Sequence, residues 1–384
     1  MAKEVTRYIK REVERELWAR AAGRCQFDGC NRLLYKSPVT QENANISEKA
    51  HVYSYAKNGP RGWGPFVTNK KVLNHVPNLM LVCHDCHNLI DQEQDGGRYT
   101  AAQLLKWKDE HEKRVSINTG IDPSKKSHVV IYGANIGDEI SKLQPEHCKE
   151  ALFPRMNPAN EQPTCLSMSW EGKDDKTEYW VTESTNLDAT FNKEIRPLIK
   201  EGNPGHFSVF TLAPMPLMIK LGALFTEKNN VDVYQLHREP YPTWHWLQGP
   251  NPTDFIVKRP VEKKHPPVLV ISLSDSIAHD RVWSVVGKNI SLWELTIERP
   301  NNDFLKSMDQ LSQYREAVRG LLAAIGHAHG ITTSLSVFPA MPIACAVELG
   351  RVRMPKACMP LVIYDQNSKL NKFIETITIG GHHE

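Results

Sequence analysis

Two close cysteine pairs carry the first chemistry legible in this chain. Cys25 and Cys30 are separated by four residues, and Cys83 and Cys86 by two, the latter inside the stretch NLMLVCHDCHNLID. Thiolates are soft ligands, and two pairs at such spacings are the donor set of a structural Zn2+ site, four sulfurs around a tetrahedral ion. The alternative is four buried cysteines without a metal. A zinc held in this way has a full shell, and it ties together the ends of segment 31–82. The other four cysteines, Cys148, Cys165, Cys345 and Cys358, are scattered through apolar or loop contexts and read as small hydrophobes.

Inside and beside that tied segment lie His51, in EKAHVYS, Asn78, which opens NLMLVC, and His87, directly after Cys86. Hydrolysis of a phosphodiester needs an activated water, charge stabilisation on the phosphoryl group and help for the leaving oxygen. A neutral imidazole takes a proton from water near pH 7, and a divalent cation stabilises the phosphate and the leaving oxygen. His51, Asn78 and His87 in that order, framed by the cysteine pairs over residues 20–115, resemble the HNH nuclease family with its ββα-metal fold. The resemblance implies that His51 is the general base, that Asn78 holds the loop or orients that histidine, and that His87 binds a catalytic Mg2+ or Mn2+. Many members of that family carry an acid or a second histidine just before the first catalytic histidine, where this chain has Ala50. Glu48, or Asp91 four residues after His87 on its helical face, is then the second ligand. His75 and His84 read as surface or supporting residues. The loop AKNGPRGWGPFVTNKK carries Lys57, Arg61, Lys70 and Lys71 with Trp63 and Phe66. It is expected to contact phosphates of double-stranded DNA, the alternative being a solvated basic loop.

The elements that must position these residues follow from pattern. A chain of 384 residues is long for one core, so two or three domains are expected. Apolar residues at 40% and charged residues at 24% argue against disorder. Residues 1–120 hold 19 Lys+Arg and 14 Asp+Glu, a net of +5, and subtraction from the totals of 47 and 44 leaves 28 and 30, a net of −2, for the rest. The basic excess travels with the cysteine pairs and points towards nucleic acid. The start, MAKEVTRYIKRE, has no apolar core behind its charges, and FSVFTLAPMPLMIKLGALF is broken by two prolines and Lys220, which makes it a poor membrane span. A cytoplasmic protein without a membrane partner is expected.

Val5, Ile9, Val13, Leu17 and Ala21 predict a helix over 1–24 stopped at Gly23. A second helix is predicted over YTAAQLLKWKDEHEKRV, with Thr100 as its N-cap. The polar stretch 115–128 then separates a first domain (1–118) from the remainder, with 119–127 as the linker.

Residues 128–384 look duplicated, with halves 128–260 and 261–384. Ser208-Val-Phe precedes TLAPMPLMIKLG and Ser336-Val-Phe precedes PAMPIACAVELG, so a proline lies four residues and a glycine twelve residues after each Phe. Each copy reads as strand, proline turn, helix and C-terminal glycine, followed by VDVYQLH or PLVIYDQ as the next strand. Strands alternating with helices imply parallel α/β units. No GxxxxGK[ST] and no convincing GxGxxG occurs, which sets aside the obvious ATPase and dehydrogenase classes.

The run from VLVISLSDSIAHD to SVFPAMPIACAVELGR resembles the SAVED domain, a fusion of two CARF-like, Rossmann-like repeats that senses cyclic oligonucleotides, over roughly 126–384. The expected fold class is therefore a zinc-containing α+β ββα-metal domain followed by an α/β domain of two repeats. An HNH domain followed by SAVED resembles the effector nucleases of CBASS anti-phage systems. That resemblance implies that a cyclic di- or trinucleotide binds, drives homo-oligomerisation and switches on DNA degradation. Ligands of open α/β sheets sit beyond the carboxyl ends of the strands, which selects Asn135, Pro214, Ser272, Ser274, Asp275, Phe338, Pro339 and Pro342. In REPYPTWHWLQG, Tyr241, Trp244 and Trp246 are candidates to stack on bases, with core packing as the alternative. Two competing readings stay open: a restriction-type HNH enzyme whose C-terminal part reads DNA, and a zinc-held, non-catalytic nucleic-acid sensor.

Overall fold

The computed structural model describes residues 8–93, 98–137, 139, 143–167, 172–200, 205–247, 253–355, 357–367 and 369–380. The chain divides into two units, Met1–Ile121 and Asp122–Glu384. Among the described residues no helix is long and apolar enough to cross a membrane.

In the first unit Val13, Leu17 and Ala21 are buried along one face of helix α1 (Arg11–Ala21), the stripe that a 3.6-residue repeat presents to a core. The helix is shorter than the predicted 1–24. Lys10 is extended (φ −61°, ψ 145°), so Ile9 precedes the helix, and Val5 lies outside the described residues. Ala22 and Gly23, at φ 50° and 65°, end it, their N–H groups donating back to the carbonyls of Ala19 and Trp18, as left-handed residues do at helix ends. Strands β1 (Ser47–His51) and β2 (Leu79–Cys83) pair antiparallel, with Ser47 opposite Cys83 and His51 opposite Leu79. Helix α2 (His84–Ile90) follows β2 directly, and α3 (Ala101–Thr119) completes the unit. Thr100 caps α3 as expected, its Oγ1 accepting from Gln103 N, and the helix runs on into the polar stretch that begins at 115. Ala50, Leu79 and Leu81 share one core with Leu17, Leu34 and Leu104. His111 on α3 donates from Nε2 to the Ala21 carbonyl at 3.0 Å. Burial lowers its pKa, so a neutral ring pins α3 to the end of α1.

The second unit holds two sheets. The first contains β3 (Lys126–Gly133), β4 (Asn157–Pro158), β5 (Thr164–Cys165), β6 (His206–Leu212) and β7 (Val231–Val233). All pair in parallel, β4 and β5 both against β3, and the path is β4-β3-β6-β7. The second contains β8 (Ile256–Lys258), β9 (Pro267–Ser272), β10 (Ser291–Thr296), β11 (Leu335–Ala340), β12 (Leu361–Asn367) and β13 (Lys372–Ile379). Its order is β13-β12-β11-β9-β10-β8, parallel in the middle and antiparallel at the two edges. With β5 and the antiparallel edge strands β8 and β13 left aside, the parallel strands of each half have the order second-first-third-fourth. The helices are α4 (Pro145–Glu150), α5 (Thr177–Glu194), α6 (Arg196–Lys200) and α7 (Met215–Phe225) in the first half, and α8 (His279–Val286), α9 (Met308–His329) and α10 (Ile343–Val352) in the second.

The duplicated residues have duplicated contacts. The Phe of each SVF stacks on the tyrosine of the next strand: Phe210 on Tyr234 at 4.3 Å and 19°, and Phe338 on Tyr364 at 4.4 Å and 10°. The glycines, predicted as helix stops, do something else. Gly222 and Gly350 lie inside α7 and α10 and have no positive φ. A Cβ on Gly222 would stand 1.9 Å from the Val347 carbonyl oxygen, and one on Gly350 would stand 1.8 Å from that of Ile219. The two helices cross backbone to backbone, each glycine facing the other helix, which is the contact a local twofold axis generates. Gly350→Leu is therefore expected to destabilise the second unit by about 3 kcal/mol or more, because the clash is with backbone that cannot turn aside. Urea unfolding measures it. A helix-stop role would instead tolerate Gly350→Asn, which the crossing forbids.

A buried ion pair within α10 is hydrogen-bonded to the first half. Glu348, fully buried on α10, accepts from Arg351 Nη1 at 2.6 Å, and Arg351 donates to the carbonyls of Val231 and Asn229 in the first half. These residues line a polar cavity of about 690 Å³ that includes neither a strand carboxyl end nor a predicted site residue.

Candidate functional site

The four cysteines converge. Cys25 follows α1, Cys30 follows a turn in which Gly29 takes φ 74°, Cys83 ends β2, and Cys86 lies in the first turn of α2. The antiparallel bridge Arg24–Leu33 folds the first pair back on itself. All four Sγ atoms lie within 4.8 Å of one another, with Cys30 and Cys83 3.9 Å apart. Sulfurs 2.3 Å from a tetrahedral zinc are about 3.8 Å apart, so the donor set fits that ion. Burial pushes Cys25 up to about 12 and raises Cys86 too. Such crowded thiols need a cation to ionise together.

Around the β1 end and α2 the residues expected to do chemistry share one cavity of about 660 Å³, lined by Glu48, Lys49, His51, Arg61, His87 and Asp91 among others. His51 ends β1. Its Nε2 is 2.9 Å from Asn74 Oδ1, and Asn74 in turn donates from Nδ2 to the Tyr8 carbonyl. With the amide so oriented, His51 Nε2 is the donor, and the basic lone pair is on Nδ1. The sequence reading missed Asn74. The available signal was a second asparagine in the same segment, four residues before Asn78.

Asn78 holds the loop. It is completely buried; its Oδ1 accepts from Tyr53 N at 2.8 Å, while Nδ2 donates to the carbonyls of Tyr53 and Leu73 at 2.8 and 2.9 Å. Of the two roles the resemblance left open, these contacts are loop contacts, and the contact to the histidine belongs to Asn74. Asn78→Ala leaves three backbone groups without partners and is expected to cost about 2 kcal/mol, lowering the melting temperature of the first unit. Unchanged melting with lost activity would instead put Asn78 in the chemistry.

His87, on α2, is 30% exposed, and its Nε2 is 3.9 Å from Asp91 Oδ2, one helical turn on. Glu48 lines the same cavity, but its carboxylate stands 3.6 Å from His84 Nδ1. The His87 imidazole and an Asp91 carboxylate oxygen stand together at the end of α2 and open into the cavity that also holds His51, with Asp91 nearer to His87 than to any other histidine named here. His75 and His84 are exposed.

Arg61 corrects the expectation that it reaches DNA. Its side chain is only 5% exposed, and its guanidinium donates to the carbonyls of His51, Val52 and Ile90 and to Asp91 Oδ1 at 3.0 Å. With these donors committed, it ties β1 to α2 and sets the position of both His51 and Asp91. Lys57 and Lys71 are exposed, whereas Lys70 sits 3.9 Å over the Trp63 ring.

In the second unit the strand ends lie where the topology requires. Asn135 follows β3, its carbonyl accepting from Tyr179 Oη at 2.6 Å, and the neighbouring β6 leads to Pro214, the N-cap of α7. Ser272 ends β9 and Ser274 and Asp275 follow it, on the strand next to the one that leads to Pro342, the N-cap of α10; Ser274 N donates to the Ala340 carbonyl. Two reciprocal contacts bring the carboxyl edges of the sheets together. Gln235, after β7, accepts from Ala344 N at the start of α10, and Asn367, at the end of β12, donates to the Asp175 carbonyl before α5. Neither glutamine nor asparagine was selected from sequence, since only the crossing of the halves gives them partners.

Several expected ligand contacts are core instead. Phe338 and Pro339 are buried within β11, and Trp244, 6% exposed, packs edge-on against Phe210. Pro214 and Pro342 are buried, and Ser272, 1% exposed, accepts from Ile277 N. Alternating strand residues and a half-apolar stripe fill the space between layers before any ligand can. Tyr241 is 70% exposed, and Trp246, half-buried against the core, has an Nε1 that is buried without a partner among the described residues.

Residues 187–379 match the model of the family described as "SMODS-associated and fused to various effectors sensor domain", SAVED. Among solved structures the chain is similar to the Acinetobacter baumannii Cap4 SAVED/CARF-domain containing receptor with the cyclic trinucleotide 2'3'3'-cAAA, at 14% identity over 77% of this chain and 67% of that one, with a TM-score of 0.42. The same receptor with 3'3'3'-cAAA gives 14% identity, 74% and 62% coverage and a TM-score of 0.44. The Moraxella osloensis Cap4 SAVED/CARF-domain containing receptor gives 13%, 73% and 60%, and 0.41. The chain thus spans 60% to 67% of the length of these receptors. No curated protein matches it.

Proposed function

The chain belongs to the SAVED family of sensor domains, and from that premise we propose that it is a ligand-gated, metal-dependent DNA endonuclease of anti-phage defence. The second unit binds a cyclic di- or trinucleotide at the joined carboxyl edges of its two sheets, and binding drives self-association of the chain. The first unit then hydrolyses double-stranded DNA as an HNH-type nuclease. The observation that carries the nuclease half is the single cavity holding His51, His87 and Asp91, built on two antiparallel strands and a helix beside four converging cysteines.

Within that cavity His51 accepts a proton from the attacking water at Nδ1, with Asn74 holding the ring through Nε2. Arg61 fixes the ends of β1 and α2, so that base and metal ligands keep their separation. His87 and Asp91 would hold the divalent cation, which supplies charge stabilisation at the phosphate and leaving oxygen.

Plasmid degradation in Mg2+ or Mn2+ against a panel of cyclic di- and trinucleotides tests both halves. Cleavage by the wild type with one member of the panel, and none without it, is the expected result. Cleavage that ignores every nucleotide would defeat the gating half, and silence under every condition would favour a non-catalytic sensor.

A further inference from the structure

With Arg61 committed inside the protein, the basic excess of the first unit must meet DNA elsewhere. Three cations in or beside α1 are already paired: Lys10 with Glu12, Arg20 with Glu16, and Lys49 of β1 with Glu14 at 2.8 Å. Arg11 and Arg15 are different. Both are exposed, and among the described residues neither has a hydrogen-bond or ion-pair partner. They stand four residues apart, hence on one helix face about 6 Å apart along the axis.

That face is continuous with the proposed active site. Arg11, Arg15, Glu14 and Trp18 line a shallow cavity of about 390 Å³. Glu14 holds Lys49, which lines the His51 cavity together with Ile9, two residues before Arg11. Trp18 continues the face towards Tyr35, 50% exposed, the two rings meeting over Gly23, where a Cβ would stand 3.1 Å from Tyr35 and 3.5 Å from Trp18. Unpaired arginines beside aromatic rings suit a polyanion: guanidinium forks take phosphate oxygens, and the rings take the sugar and base faces. A protein partner would need an acidic surface, and a cavity opening beside a candidate phosphodiester site favours the nucleic acid.

We propose that the exposed face of α1, through Arg11 and Arg15, grips the phosphate backbone of duplex DNA and lays the strand across the His51 cavity. This rests on reading the first unit as a nuclease. Arg11 and Arg15 are positioning residues, acting through the placement of the substrate.

The test uses the full chain carrying His51→Ala, so that DNA survives, and follows binding of a labelled duplex by anisotropy over a range of KCl. Adding Arg11→Gln and Arg15→Gln is expected to weaken binding and to make the slope of log K against log salt shallower by about 1.8, two phosphate contacts at about 0.9 each. Lys106→Gln with Lys113→Gln, on α3, is the control and should leave the slope unchanged. An unchanged slope in the arginine variant, an equal loss in the control, or no binding by the parent overturns the proposal. Wild-type cleavage rates in His51→Ala would defeat the assignment of His51 as the base, and no cleavage by the wild type under any condition would defeat the nuclease reading; either leaves the slope to decide this one.

Discussion

His51→Ala is expected to lower activated plasmid cleavage about 10³-fold or more, the range lost when a positioned general base is removed. The argument is geometric. His51 ends the strand that pairs with the one leading into α2, so strand register fixes its distance from His87 and Asp91. Asn74 fixes its tautomer. The ring is half-buried at the rim of the cavity rather than in the core, so its loss should leave the melting temperature nearly unchanged. Binding of a cyclic nucleotide, proposed for the other unit, should be unaffected. Asn74→Ala is expected to act in the same direction but more weakly, since the imidazole remains. Full cleavage by His51→Ala would sink the assignment of the base.

Removal of zinc from the first unit is expected to unfold it. Apparent binding energies of four-cysteine sites are about 10–16 kcal/mol, against a net stability of about 5–15 kcal/mol for a whole domain. The ion would supplement the unit's core where that core is thinnest: between Ala22 and Ser47 only Cys25 and Leu34 are buried hydrophobes. Cys83→Ser, or a chelator, should remove one of two thermal transitions by circular dichroism, leaving that of the second unit, which has a separate core. Elemental analysis should find about one zinc per chain in the wild type and none in the variant. A soluble Cys83→Ser chain with both transitions and full cleavage would rule out the ion as the tie.

The sequence by itself determined the donor chemistry and the repeat. Cysteine spacing named four ligands that do converge, because closely spaced pairs in adjacent turns have few other ways to pack. The recurrence of SVF, proline and glycine located both third strands and both crossing helices, because equivalent positions in a repeated unit meet equivalent neighbours. Hydrophobic period found the buried face of α1, and the capping preference of threonine found the start of α3. Those are local properties, set within a few residues of chain.

Tertiary structure decided which polar residues are left for function. Arg61 and Arg15 are both arginines near the active-site segment, yet one is enclosed by three carbonyls and a carboxylate and the other faces solvent. Asn74 and Asn78 differ by one turn of chain, yet one touches the histidine and the other ties the loop. Gly222 and Gly350 read as helix stops until the opposing helix fills the space where a Cβ would stand. Phe338 and Trp244 are of types and in segments that suit a ligand, but the layers packed against them consume their surfaces first. In each case the deciding partner is distant in the chain, and a buried hydrogen bond or a backbone contact outweighs any local preference. Residue type and spacing specified what chemistry was present, and packing specified which copies of it remained accessible.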